Sequence, residues 1–341
     1  MRRLIIALVL LLAVYLALSR LTEVQQVAET LRHGNVWWLG LAVLAQLAWL
    51  ANLALTYKSV YRLLGLESSV AQLLPLAITS NFVNVVAPSV GVGGMAIFIT
   101  DARRRGQSAA RVTIAGVLFL LFDYFAFLIV LALGLTVLFR RNNLTGIELT
   151  ASGGLLAVAL ALAGLLVLGV SAPPAFERVL IALVRGVNRG VRPVLRRDYL
   201  SEARAHEFAV EAAEGLGALR THPREYLLPA LLSLLSKALL IAILWVCFMA
   251  FGTPFTGGTL VAGYSIANLF TIVSPTPAGI GVVEGAMTLG LRSLRVSIGA
   301  ATIITLAYRG LTFWLPFAYG FAALRFLEWQ WGRKAAEKVA P

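Results

Sequence analysis

Apolar residues in this chain come in long unbroken runs, without the alternation of a half-buried strand or the one-sided stripe of a surface helix. Leu4–Leu18, Val36–Leu55, Val112–Leu138, Leu155–Val170, Tyr226–Phe251 and Ile298–Ala323 are each close to or above the ~20 residues that cross a hydrocarbon core about 30 Å thick. They predict six full spans. Two further apolar stretches are broken in the middle. Val70–Ala87 ends at Pro88-Ser89-Val90-Gly91-Val92-Gly93-Gly94 and resumes as the short piece Met95–Thr100. Leu260–Leu291 is interrupted by Ser274-Pro275-Thr276-Pro277-Ala278-Gly279-Ile280-Gly281. Proline removes a backbone donor and glycine permits tight turns, so each stretch predicts a broken-helix hairpin that enters the membrane and returns. The expected fold is an all-α integral membrane protein, a single transmembrane domain over residues 1–341, with about six full spans and two re-entrant hairpins.

Composition agrees. The chain is 59% hydrophobic and 13% charged, with a mean hydropathy of +0.84, which leaves too little charge to coat a soluble domain of this length. The placement of charge says more. Arg2 and Arg3, Lys58 and Arg62, Arg103 to Arg105, the segment of about 173–224, and Arg325, Arg333, Lys334 and Lys338 all fall beside apolar runs. Assigned to the cytoplasm by the positive-inside rule, they put both termini inside the cell membrane. Arg20–Asn35, of mixed charge, becomes the first outer loop. The net charge of +13 is thereby accounted for without a nucleic-acid partner. Met1-Arg2-Arg3 and the run after it resemble a signal peptide, but no small-x-small cleavage site precedes Arg20, so a retained first helix is expected.

Within 173–224, Phe176, Val179, Leu180, Leu183, Val184, Val187 and Val191 recur at helical spacing, with Arg178, Arg185, Arg189 and Arg192 elsewhere on the wheel. Two readings stand: a helix lying on anionic headgroups, or a solvated linker packed on the helix ends. A lone Cys247 and three scattered histidines, His33, His206 and His222, give no disulfide and poor support for a metal. No cofactor is expected. No phosphate-binding G-x-x-x-x-G-K-[ST] loop occurs, and the spans carry no His-rich cluster, Asp-rich diphosphate motif or Ser/His pair, so a transporter is expected before an enzyme.

The two broken stretches resemble each other. Asn81 stands seven residues before Pro88, Asn268 seven before Pro275, and the same offset aligns Gly94 with Gly281. With one residue of slippage Asp123 aligns with Arg309. The repeat units span about 70–138 and 258–323, and the charges orient them oppositely, as in inverted-repeat transporters. Broken backbone is tolerated in a membrane only within protein or along a wet cavity, and its free N–H groups favour an anion. The candidate substrate site is therefore Pro88, Gly91, Gly93, Gly94, Pro275, Pro277, Gly279 and Gly281, with Asn81 and Asn268, which cap or cross-link helices if they touch no substrate. A charge at the bilayer centre costs about 2.5–3.5 kcal/mol on insertion scales. Asp123 and Arg309 are expected to pair or to line one polar cavity with Glu284 nearby, either on the transport route or as a structural lock. Lys237, partway into Tyr226–Phe251, is less informative, having the reach to snorkel to the interface.

At these residues the sequence resembles a known family. Ser274 through Ala286, followed by Tyr308-Arg309-Gly310-Leu311-Thr312-Phe313-Trp314-Leu315-Pro316, is similar to the hallmark pattern of the lysylphosphatidylglycerol synthase transmembrane-region family, also called the flippase-like domain. Asn81 through Asp123 resembles its weaker N-terminal motif, departing from it at Met95-Ala96-Ile97 and at Leu121-Phe122. Some relatives fuse this region to a soluble aminoacyl-transferase domain; the sequence stops at Pro341, which implies a stand-alone member that moves lipid without making it. The resemblance implies a flippase or scramblase-like translocator of an anionic phospholipid or polyprenyl-linked lipid, alone, as a homo-oligomer or with a partner enzyme. A secondary transporter or channel for a small soluble anion fits the same architecture.

Overall fold

The computed structural model describes residues 21–86, 93–195, 201–217, 223–274, 276 and 279–337. The described residues form thirteen α-helices, α1 to α13. The expected span Leu4–Leu18 lies outside them.

Among the described residues, five helical segments are long and apolar enough to cross a membrane: Val36–Leu63 (α2), Ala109–Arg140 (α5), Gly146–Ser171 (α6), Arg224–Ala250, whose α-helical part is Leu227–Ala250 (α9), and Ile298–Trp331. The last is Ile298–Arg309 (α12) and Leu315–Glu337 (α13), joined by a wider π-turn at Gly310–Trp314. Large apolar side chains stay exposed along these helices, among them Leu44, Leu47, Ile129, Leu133, Leu160, Val167 and Leu231. In water that surface would be an aggregation hazard; facing acyl chains it costs nothing. This is an all-α integral membrane protein.

Local chemistry starts the helices where polar residues interrupt the runs. Asn35 accepts the Trp37 N–H at 3.0 Å, Ser108 the Arg111 N–H at 3.2 Å and Thr256 the Thr259 N–H at 3.2 Å. Each side chain takes up an amide that the first helical turn leaves unpaired. Helix α6 opens with a capping box in which Glu148 returns to Thr145.

The broken stretches become paired short helices. Val70–Val86 (α3) is followed by Met95–Arg104 (α4), and Gly257–Val273 (α10) by Val282–Ser293 (α11). At a rise of 1.5 Å per residue, a helix of 17 residues is about 26 Å long, short of a full crossing by itself. Helices α3 and α10 have the same length and sit 187 positions apart, the spacing that also separates Leu63 from Ala250 at the ends of α2 and α9. Trp49 and Ser236, at that same separation, hydrogen-bond to each other at 2.9 Å where α2 packs on α9. The correspondence thus begins earlier in the chain than residue 70. Beyond the hairpins it slips further than the sequence suggests, because α11 has 12 residues and α4 has 10. Counted from the helix starts at Ser108 and Ser297, Asp123 stands fifteen residues in and Arg309 twelve. The alignment of Asp123 with Arg309 is therefore out by most of a helical turn.

Two other expectations are corrected. Part of the first outer loop is the helix Leu21–Arg32 (α1), whose Val27 is buried against Gly310. The basic segment forms a pair, Pro173–Leu195 (α7) and Glu202–Gly217 (α8), and α8 was not foreseen because its short apolar stripe is diluted by charge. Ala209, Ala212 and Leu216 of α8 are buried with Leu166 and Phe176. Arg185 meets Glu202 at 2.9 Å in the open and holds its carboxyl below the usual carboxylate range. In α7, Leu180 packs inward while Val179, Leu183 and Val187 are exposed along one stripe.

Gly94 shows how tightly the first hairpin closes. A β-carbon there would overlap the Ser80 side chain and lie 2.5 Å from the Ser80 carbonyl oxygen, and the Gly94 N–H already donates to Asn84 Oδ1 at 2.6 Å. Replacing Gly94 by Ala is expected to destabilise the protein by about 1–3 kcal/mol. Thermal unfolding in detergent should show a drop of several degrees, whereas Gly153→Ala on α6, where a β-carbon meets nothing within 4 Å, should hold the midpoint or raise it slightly.

Candidate functional site

The tip of the second hairpin is built by its small and hydroxylated residues. Gly279 and Gly281 have φ of +72° and +82°, a left-handed backbone that side chains resist. Ser274 and Thr276 share a hydrogen bond at 2.9 Å, and Thr276 Oγ1 donates to the Ile280 carbonyl at 3.1 Å. Glu284 completes the turn. One carboxylate oxygen, Oε2, accepts the Gly281 N–H at 2.6 Å; the other, Oε1, takes Nε of Arg309 at 2.5 Å. A carboxylate in the first turn of α11 also suits the helix dipole.

Arg309 reaches Glu284 from the end of α12, immediately before the π-turn, and its guanidinium lies 4.4 Å from the centre of the Phe313 ring. It is only 5% exposed. Wide turns of this kind re-aim side chains and occur often at functional sites.

Beside this pair is a cavity of about 170 Å³. Arg309 lines it from α12, Asn81 from α3 and Asn268 from α10, so both hairpins and the last span meet there. Gln46 and Trp49 of α2, Thr271 and Thr312 add polar groups, and Leu240, Val283 and Phe313 supply an apolar wall. Gln46 donates to Tyr319 at 3.1 Å, while its Oε1 has no hydrogen-bond partner among the described residues. One fixed cation with several amides in an apolar setting can hold an anion and satisfy its remaining lone pairs.

The thirteen sequence-derived candidates separate on this geometry. Arg309, Asn81 and Asn268 come together at one cavity, with Glu284 bound to Arg309. Gly279 and Gly281 shape the tip, and Gly94 is fixed by packing against Ser80. Gly93 joins the turn that leads into α4. Pro88, Gly91, Pro275 and Pro277 lie outside the described residues.

Asp123 belongs elsewhere. It binds Lys237 at 2.5 Å across the α5–α9 contact and does not line the cavity. The expected pairing of Asp123 with Arg309 is thus replaced by two separate pairs, because each charge has an opposite charge closer in space. Lys237 does not snorkel: it is 4% exposed, held inward by the carboxylate. Gln46, Trp49, Thr271 and Thr312 were missed. Gln46 alone left a signal, a polar side chain in the middle of an apolar run. Among the described residues, no three His, Cys, Asp or Glu side chains gather to hold a metal.

The comparisons with known proteins fall in line with this architecture. A family model described as Lysylphosphatidylglycerol synthase TM region matches residues 4–320. A protein described as a UPF0104 membrane protein, from Methanothermobacter thermautotrophicus, is 24% identical over 318 residues, covering 92% of this chain and 91% of its own.

The Asp123–Lys237 pair sets a test of structure alone. Lys237→Met strands a carboxylate among apolar helices and is expected to cost about 3 kcal/mol, read as a lower detergent-unfolding midpoint. Adding Asp123→Leu should return most of the loss.

Proposed function

This chain belongs to the lysylphosphatidylglycerol synthase TM region family, and from that premise we propose that it is a lipid translocator, flippase or scramblase-like, in the cell membrane. The observation that carries the reading is the cavity where Asn81 of one hairpin, Asn268 of the other and Arg309 meet. An anionic phospholipid or polyprenyl-linked lipid places its phosphate there, while its tails stay in the bilayer beside the helices. Rocking of the two matched units about the α2–α9 contact exposes the phosphate to each leaflet in turn, as inverted-repeat transporters do. The protein acts as a transporter and carries out no covalent chemistry on the lipid. The family's name links it to a phosphate-bearing lipid. On this reading helix α7 lies along the cytoplasmic leaflet, with Val179, Leu183 and Val187 in the acyl boundary and its arginines on anionic headgroups.

A second reading has one observation in its favour. A cavity of about 170 Å³ suits a small soluble anion as well as the phosphate of a lipid, so flux of inorganic phosphate or sulfate is the competing activity.

Reconstitution separates them. Purified protein in phosphatidylcholine vesicles should move acyl-labelled phosphatidylglycerol or a polyprenyl phosphate between leaflets. Arg309→Ala, which strands the Glu284 carboxylate and lowers the melting midpoint, should still elute as the wild type does and, assayed well below that midpoint, should slow the movement by roughly tenfold or more, the worth of one charge-assisted hydrogen bond. Flux of inorganic anions without lipid movement would transfer the function to the second reading.

A further inference from the structure

We propose that each anionic phosphate group moved by this protein crosses together with one proton, and that Glu284 is the residue that carries it. The inference rests on the translocation reading and adds the source of its driving force.

Its basis is the neutrality of the site. An incoming phosphate would find its best donor at the Arg309 guanidinium, which lines the cavity. That guanidinium is already held by the protein's own carboxylate, Glu284, through Nε at 2.5 Å. Binding is therefore an exchange. The phosphate oxygens take the guanidinium, and Glu284 loses its cationic partner. A largely buried carboxylate left without that partner is costly, and taking up a proton removes that cost.

Among the described residues packed along α11, no other group replaces the lost cation. Of the two helices that pack along α11, α10 offers Tyr264 as its one ionisable side chain, and α12 offers Tyr308 and Arg309 itself. On α11, Arg292 lies eight residues on, about 12 Å along the axis. Lys237 and Asp123, on neighbouring α9 and α5, are bound to each other.

The cycle balances. A proton from the side of entry goes onto Glu284 as the phosphate takes Arg309. Phosphate and proton leave on the far side, and carboxylate and guanidinium close on each other again. A singly charged phosphodiester and one proton crossing together move no net charge, so a pH difference drives the lipid and a voltage alone does not.

The test uses the intact protein in phosphatidylcholine vesicles doped with acyl-labelled phosphatidylglycerol, with a pH step across the membrane and a lumenal pH dye. The wild type is expected to enrich the labelled lipid severalfold in the leaflet on the alkaline side, with acidification of that compartment in step. Glu284→Gln should equilibrate the lipid between leaflets without responding to the step, and Glu284→Asp should keep the response. Lipid movement by the wild type that ignores the pH step, or a response that survives in Glu284→Gln, overturns the proposal. If Glu284→Gln fails to fold, the proton flux accompanying wild-type lipid movement decides: one proton per lipid supports the coupling and none removes it. Absence of any lipid movement, with inorganic anion flux present, instead fails the translocation reading, and this proposal with it.

Discussion

A guanidinium cannot shed its proton, so wherever it is buried the protein has to match it. Here the match is a single carboxylate with two obligations. Glu284 neutralises Arg309 through one oxygen and fastens the turn of the second hairpin through the other. The hairpin tip, the first turn of α11 and the end of α12 are thereby joined at one side chain. Phe313 closes over the guanidinium, and the π-turn lets the chain continue as α13 without pulling Arg309 from its partner. Breaking this joint would leave a permanent charge and an unpaired amide in a setting that tolerates neither.

Elsewhere the helices are tied together by polar contacts. Helices α2 and α9 meet along their length, cross-linked by Trp49 with Ser236 and by Asn52 with the Leu232 carbonyl. Asp123 and Lys237 add a lock between α5 and α9. The bases of both hairpins are tied down as well. Asp101 binds Arg105 and Trp331, and Arg104 stacks on the same indole. At the other hairpin Arg141 and Asn143 hold the carbonyls of Leu294 and Ser293. The cavity is left where the two hairpins approach each other, bordered by side chains from both.

Much of this was legible in the residues. Long apolar runs gave the spans, since nothing else in aqueous chemistry tolerates them. The paired Pro/Gly interruptions gave both hairpins, and intramembrane charge pointed to Arg309 and Glu284. Which charge met which was not legible. Asp123 could be matched with Arg309 along the chain, yet partner choice depends on helix rotation and on a two-residue difference between α4 and α11 that no local signal marks. Lys237 was misjudged for the same reason: snorkelling is what a lysine does beside lipid, and only the packed fold reveals a carboxylate facing it. Helix α8 was hidden because its alanines carry little hydrophobic signal, although Ala209 and Ala212 fit closely against neighbouring helices.

The burial of Arg309 also bears on how the chain is made. The span that carries it is the least apolar of the five described. Released from the insertion machinery alone, it would meet the bilayer with an unneutralised charge costing about 2.5–3.5 kcal/mol. Its counter-charge is synthesised first, twenty-five residues upstream, on a helix too short to cross by itself. Entering the lipid paired, the two pieces bring that charge already matched, so inserting residues 257–331 as one unit avoids the cost.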